Sequence, residues 1–213
     1  MAGLHRLDSC HPNSYTVSMQ TTILRTFFAC RISEENLARV DHLLVDLKSH
    51  IPDSVKWVSP KNLHLTVKFL GEFKQTDIET IRSSLTKALA DSLPFPLSIH
   101  NLGAFPSPIK PQIIWLGLEA DQALYKLVET LEQQCALLGY PKEKRPFAAH
   151  ITIGRLRQSA SPSDSVLIGE VLRKQQSLII GEQSIDALHF IRSELTPRGP
   201  IYQTLFTIPF TSQ

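Results

Sequence analysis

Residues 63–70, Leu63-His64-Leu65-Thr66-Val67-Lys68-Phe69-Leu70, form the stretch on which the reading of the fold turns. Apolar and polar residues alternate along it, and in a strand residues i and i+2 share a face. Leu63, Leu65, Val67 and Phe69 fall on one face, His64 and Thr66 on the other. Lys68 has the parity to join His64 and Thr66 and is a candidate substrate contact. Gly71 is expected to end the strand. The apolar face calls for a helix packed against it, so the His/Thr face must look onto something polar.

The second half of the chain repeats the pattern. His64-Leu65-Thr66-Val67 and His150-Ile151-Thr152-Ile153 both have the form H-φ-T-φ, with φ a β-branched residue or leucine. Eight histidines and 14 threonines in 213 residues would give about 0.5 H-x-T matches by chance. The weight of the pair comes from the alternating apolar frame around each copy. If the two strands lie close together, two imidazoles and two hydroxyls converge. Such a set suits phosphodiester cleavage. One imidazole takes a proton from water and the other gives one to the departing ribose oxygen, a task matched to a pKa of roughly 6.5. The Thr66 and Thr152 hydroxyls would donate to phosphate oxygens. No carboxylate cluster stands out, and no metal or cofactor is implied.

Outward from these strands, residues 23–32 (ILRTFFACRI) read as a strand. A helix follows to about Ser49, with Ser33 as N-cap and a stripe of Leu37, Val40, Leu43, Leu44 and Leu47. Thr76 and Glu79 have the spacing of a capping box for a second helix. Residues 97–102 and 113–118 read as strands joined by a connection containing Pro106, Pro108 and Pro111. Residues 121–138 form a third helix, with Gly139 behind it. Residues 149–153 are a strand, 159–165 a Ser/Pro-rich loop before a short helix, and strands recur near 184–191 and 201–210. The expected class is α+β, with two small antiparallel sheets facing a groove and helices outside.

A net charge of +2 is too small to indicate nucleic-acid binding by bulk electrostatics, so any RNA contact must be local. Cys10, Cys30 and Cys135 are few and widely spaced, which suits a reducing compartment. There is no apolar run of roughly 18 residues and no secretory leader, so no membrane is expected and the protein reads as cytoplasmic. Residues 1–20 read as a polar extension before a single domain over 21–213. No obligate protein partner is evident, and a monomer is expected.

The sequence resembles the RNA 2′,3′-cyclic phosphodiesterases, also known as 2′-5′ RNA ligases, within the 2H phosphoesterase superfamily. The likeness extends from about Leu24 to Phe210. It rests on LRTFFA (24–29), NLHLTVKFLGEF (62–73), PQIIWLG (111–117), RPFAAHITIGR (145–155) and the Ser193–Tyr202 pattern S-x-L-x-x-x-G-x-x-Y. It implies a bilobal fold and metal-independent hydrolysis of RNA or nucleoside 2′,3′-cyclic phosphates to 2′-phosphomonoesters, with reversible 2′-5′ ligation by the same residues. It implies that His64 donates a proton and His150 accepts one, that Thr66 and Thr152 hold the phosphate, and that an aromatic of the first strand, here Phe28, stacks on the base. Where relatives often carry proline before the second histidine, this chain has Ala148 and Ala149.

Other readings stand beside these. Phe28 suits the core as well as a base platform, and Tyr202 suits packing as well as groove lining. Arg155 stands an odd step from His150, so it reaches phosphate only if the strand bends at Gly154; otherwise it forms a structural ion pair. The run Lys142 to Arg145 reads as a solvated loop or as a guide for a phosphate backbone. The alternative function is a non-catalytic nucleotide- or RNA-binding module.

Overall fold

Strand β1 (Ile23–Arg31) sets a two-faced plan. Phe28 and Cys30 on one side enter a core beneath helices, while Phe27 and Ala29 on the other pack with Ile191 and Tyr202. This is a computed structural model, and it describes residues 21–175 and 177–211. The polar extension expected at residues 1–20, with His5, Cys10 and His11, lies outside the described residues. After β1 the chain runs through α1 (Glu34–His50), β2 (Val55–Trp57), β3 (His64–Lys74), α2 (Ile78–Ala88), β4 (Phe95–Ser107) and β5 (Lys110–Ala120). Then come α3 (Gln122–Leu137), β6 (His150–Leu156), α4 (Pro162–Lys174), β7 (Ile179–Ile185), β8 (Ala187–Thr196) and β9 (Gly199–Pro209). The fold is α+β, with two antiparallel sheets in the orders β3-β1-β8-β9 and β2-β6-β5-β4-β7.

Each sheet buries one face under two helices. Beneath the four-stranded sheet, Ile81 and Leu85 of α2 and Leu124, Leu127 and Leu131 of α3 meet Phe28, Leu65, Val67, Phe190 and Phe206. Beneath the five-stranded sheet, Val40, Leu44 and Leu47 of α1 and Ile168 and Leu172 of α4 meet Ile99, Ile114, Leu116, Ile151 and Ile153. Burying each such side chain is worth about 1.5–3 kcal/mol, so these cores fix the orientation of the strands. Helix α1 follows a strand of one sheet yet packs under the other, and α3 crosses in the reverse direction. Polar bonds pin α1 and the end of β1 to β7. Buried Asn36 Nδ2 donates to Glu182 O at 3.2 Å, Arg39 Nη1 donates to Ile180 O at 2.8 Å, and Gln183 Nε2 donates to Arg31 O at 2.9 Å.

The local signals are followed in part. The Ser33 hydroxyl accepts from Asn36 N at the start of α1, and the Asp121 carboxylate accepts from Ala123 N at the start of α3. The Thr76/Glu79 box does not form. The Thr76 hydroxyl donates to Asp77 Oδ1 at 3.1 Å, residues 75–77 make a 3₁₀ turn, and α2 begins at Ile78. Gly71 does not end β3; at φ +68° it carries the strand through a shift in register to Lys74. Pro106 and Pro111 lie inside strands and face each other across the β4–β5 hairpin. Both sit on free edges there, because β7 pairs with β4 only to His100 and β6 pairs with β5 only from Ile113. The Ser/Pro-rich segment holds the start of a helix. Ser161 and Asp164 form a capping box, with Pro162 in the first turn of α4.

Candidate active site

Both H-x-T strands carry the same irregularity. Along β3, His64, Leu65 and Thr66 stand opposite Arg31, Cys30 and Ala29; after a shift, Lys68 and Phe69 stand opposite Phe28 and Phe27. Val67 is thus the extra residue of a β-bulge, and parity inverts behind it. Along β6, His150, Ile151 and Thr152 stand opposite Gly117, Leu116 and Trp115; after a shift, Gly154 and Arg155 stand opposite Ile114 and Ile113. Ile153 plays the part of Val67. Each strand presents its histidine and threonine to the groove, buries the next two residues, and resumes with opposite parity.

This geometry corrects two expectations. Lys68 does not share the face of His64 and Thr66, because the bulge at Val67 turns it inward. It is 2% exposed, and its Nζ donates to Glu132 Oε2 at 2.7 Å and to Pro141 O at 3.1 Å. Nor is Phe28 open to a base, being fully buried and stacked on Phe190 at 4.5 Å. The aromatic of β1 beside the site is Phe27, whose ring lies 4.8 Å from that of His64 at an interplanar angle of 25°. The same inversion resolves Arg155 the other way. The bulge at Ile153, rather than a bend at Gly154, puts Arg155 on the face of His150 and Thr152.

The two imidazoles are held alike. His64 Nδ1 bonds to Asn62 O and His150 Nδ1 to Ala148 O, each at 2.7 Å and each to the carbonyl two residues earlier. A carbonyl only accepts, so Nδ1 carries the hydrogen and Nε2 of the neutral ring keeps its lone pair. Aromatic rings fix both orientations. His64 stacks on Phe27 and meets the edge of Tyr202 at 5.3 Å, and His150 meets Phe105 edge-on at 5.1 Å. Phe105 leans on Trp115, and Trp115 lies so close over Gly103 that a Cβ there would come within 2.2 Å of the indole. Asn62 itself is tied across the groove face by Nδ2 donating to Pro200 O at 3.4 Å.

The sheets meet along β3 and β6, and the electrostatics show what that brings together. Burial pushes the His64 imidazole below its ordinary pKa; the hydrogen bond to Asn62 opposes this, and the nearby His150 adds to it. Burial raises the Tyr202 phenol, against the pull of Arg155 and Arg25. His64 and Tyr202 on one sheet therefore feel His150 and Arg155 on the other. Thr66 and Thr152 lie partly exposed on the same two faces. Cys30 and Cys135 are buried free thiols pushed up to about 12, so neither offers a thiolate. Among the described residues no three His, Cys, Asp or Glu side chains gather as a metal site.

Residues 30–196 match the 2′-5′ RNA ligase superfamily. The chain belongs to that superfamily. Both H-x-T strands fall within the matched span. Among superfamily relatives, an RNA 2′,3′-cyclic phosphodiesterase of Archaeoglobus fulgidus is 31% identical over 85% of this chain and 98% of its own length. One of Methanothermobacter thermautotrophicus is 31% identical over 84% and 95%. Of solved structures, TT0787 of Thermus thermophilus aligns over 88% of this chain and 98% of its own, with a TM-score of 0.74 and 25% identity. Escherichia coli LigT complexed with 3′-AMP shares the fold, at a TM-score of 0.72 and 21% identity over 90% of this chain and all of its own. As for the membrane, no helix among the described residues is long and apolar enough to cross one.

Phe27, Phe105 and the Asn62 and Ala148 carbonyls went unread in the sequence. One signal for Phe27 was present. Arg25 and Arg31 share its parity, and a strand face that begins and ends in arginine is the one turned toward solvent.

Proposed function

We propose that this protein opens 2′,3′-cyclic phosphates on RNA ends or small nucleotides, leaving a 2′-phosphomonoester, with no metal in the reaction. The matched Nδ1 bonds carry the reading, since they leave two Nε2 atoms free for proton transfer on facing sheets. His150 Nε2 takes a proton from water as its oxygen attacks phosphorus. The bond to O3′ breaks, and His64 Nε2–H supplies the proton to that oxygen. Thr66 and Thr152 donate to the non-bridging oxygens, and Arg155 balances their charge. Tyr202, held neutral as a donor, flanks His64. The names of the relatives support the substrate class. With a ribose 5′-hydroxyl in place of water, the same displacement would form a 2′-5′ linkage, and its reverse would regenerate the cyclic phosphate. Cys30 and Cys135, free and buried, suit the reducing conditions of the cytoplasm.

Purified protein is expected to convert 2′,3′-cyclic AMP to 2′-AMP equally well with and without EDTA. His64→Ala and His150→Ala should each lower kcat by roughly 10²–10⁴-fold. Loss of activity with chelator, or a wild-type rate in either variant, would overturn the mechanism. The pH profile separates the two roles. A proton donor must be charged in the free enzyme, so kcat/KM should be present below the His64 pKa and decline as pH rises through it. Burial disfavours this charged donor, whose loss forms the alkaline limb. Bound phosphate, being anionic, favours the imidazolium and should move that limb upward in kcat. His64→Ala should lose the alkaline limb; a profile that keeps it would overturn His64 as the proton donor.

A further inference from the structure

Near the proposed catalytic groove, and linked to His64 through the rings of Phe69 and Phe27, lies a depression of about 460 Å³ lined by Phe69, Tyr140, Lys142, Lys144 and Arg145. Its volume falls within the range of small-molecule sites. Phe69 reaches this position because the bulge at Val67 turns it to the groove side. Its ring is 53% exposed, unusual for a phenylalanine in the middle of a strand. Two ring-to-ring steps, 5.9 Å to Phe27 and 4.8 Å onward, separate it from the His64 imidazole.

The cationic loop on the other wall is held firmly. Lys68, its side chain 0% exposed, pairs with Glu132 at 2.7 Å and donates to Pro141 O. Glu132 Oε2 accepts in turn from Glu143 N at 3.1 Å. Just before the loop, the Tyr140 hydroxyl donates to Asp77 Oδ2 at 2.8 Å and accepts from Lys74 N at 3.1 Å. A buried ion pair is costly unless its hydrogen bonds are filled, and here the filling bonds fix the loop backbone. Lys142, Lys144 and Arg145 stand exposed at the rim, with Glu143 the only acid among them.

We infer that this depression is a second nucleotide subsite, which takes the nucleotide on the 5′ side of the cyclic phosphate. An exposed ring offers a stacking platform to any base, and the cations carried beside it on an anchored loop match the phosphate that joins that nucleotide to the terminal one. A terminal nucleoside alone brings no such phosphate to this wall. The inference rests on the cyclic phosphodiesterase reading of the groove and makes chains of two or more nucleotides its preferred substrates.

The test compares 2′,3′-cyclic AMP with the dinucleotide ApA ending in a 2′,3′-cyclic phosphate, in the wild type and in Lys142→Glu/Lys144→Glu. The wild type should show a kcat/KM about tenfold higher on the dinucleotide, in line with one stacked base. The charge reversal should remove that advantage and leave the mononucleotide rate unchanged. It should also lower the slope of log kcat/KM against log salt on the dinucleotide by about one. Equal kcat/KM on both substrates in the wild type, or a reversal that depresses both alike, overturns the subsite. If neither substrate is cleaved, the catalytic reading fails, and calorimetry then decides the subsite by itself. A 2′-phosphorylated dinucleotide binding more tightly than 2′-AMP, with the difference lost on reversal, upholds it; equal affinities refute it.

Discussion

Phe27 and Phe28 are neighbours with opposite tasks. Phe28 fills the core against Phe190, while Phe27 supports the His64 ring. Phe28→Leu should therefore lower stability by about 1 kcal/mol and leave the kinetics alone, read by urea unfolding and initial rates. Phe27→Leu should lower kcat roughly tenfold by releasing the imidazole from its stacked position, with a smaller change in KM. At this scale the sequence was legible where a type of residue dictates chemistry. The two histidines and two threonines stand on the faces that alternation assigns them. The roles of Lys68 and Arg155 were hidden, because a one-residue bulge inverts parity and neither Val67 nor Ile153 differs from an ordinary strand residue.

The elements that carry these residues are held by a few polar devices. Lys68 and Glu132 join β3 to α3 and to the loop after it. Lys68→Ala leaves the Glu132 carboxylate without its partner and should cost about 3–5 kcal/mol. Lys68→Met with Glu132→Leu should recover much of that loss in urea unfolding, yet loosen the loop at Pro141 and Glu143. At the start of α4, Ser161→Ala should cost about 1 kcal/mol. The long helices α1 and α3 were legible from their apolar stripes and caps. The start of α4 was not, although a short helix was expected just behind it, because Ser-Pro-Ser-Asp reads equally as a loop, and only the capping bonds distinguish the two. The short strand β2 and the edge strand β7 were missed as well. β2 spans three residues and takes its order from pairing with β6, which no local pattern records.

Over the whole molecule, two cores clamp two sheets so that their polar faces oppose each other, and the arrangement has a pH signature. Burial holds both His64 and His189 below the ordinary imidazole value of 6.5. The unfolded chain then binds more protons than the folded one in the window between the lowered values and 6.5. Stability is full above that window and falls as pH drops through it. The urea midpoint should decrease between about pH 7.5 and about pH 5.5, and His189→Gln should lessen the decrease; a flat profile would contradict the burial of these rings. The expected α+β plan of two sheets about a groove was legible from the pairing of alternating strands with amphipathic helices. Which sheet each helix covers was not, since α1 and α3 cross between the halves and crossing leaves no trace in periodicity.

The proposed mechanism requires two imidazoles, fixed through Nδ1, to address one phosphorus atom from opposite sheets. Imidazole nitrogen-15 NMR during titration with 2′-AMP tests this most directly. Both Nε2 resonances should move together on binding while both Nδ1 atoms stay protonated donors. A shift confined to one ring, or bound 2′-AMP that disturbs neither, would contradict it.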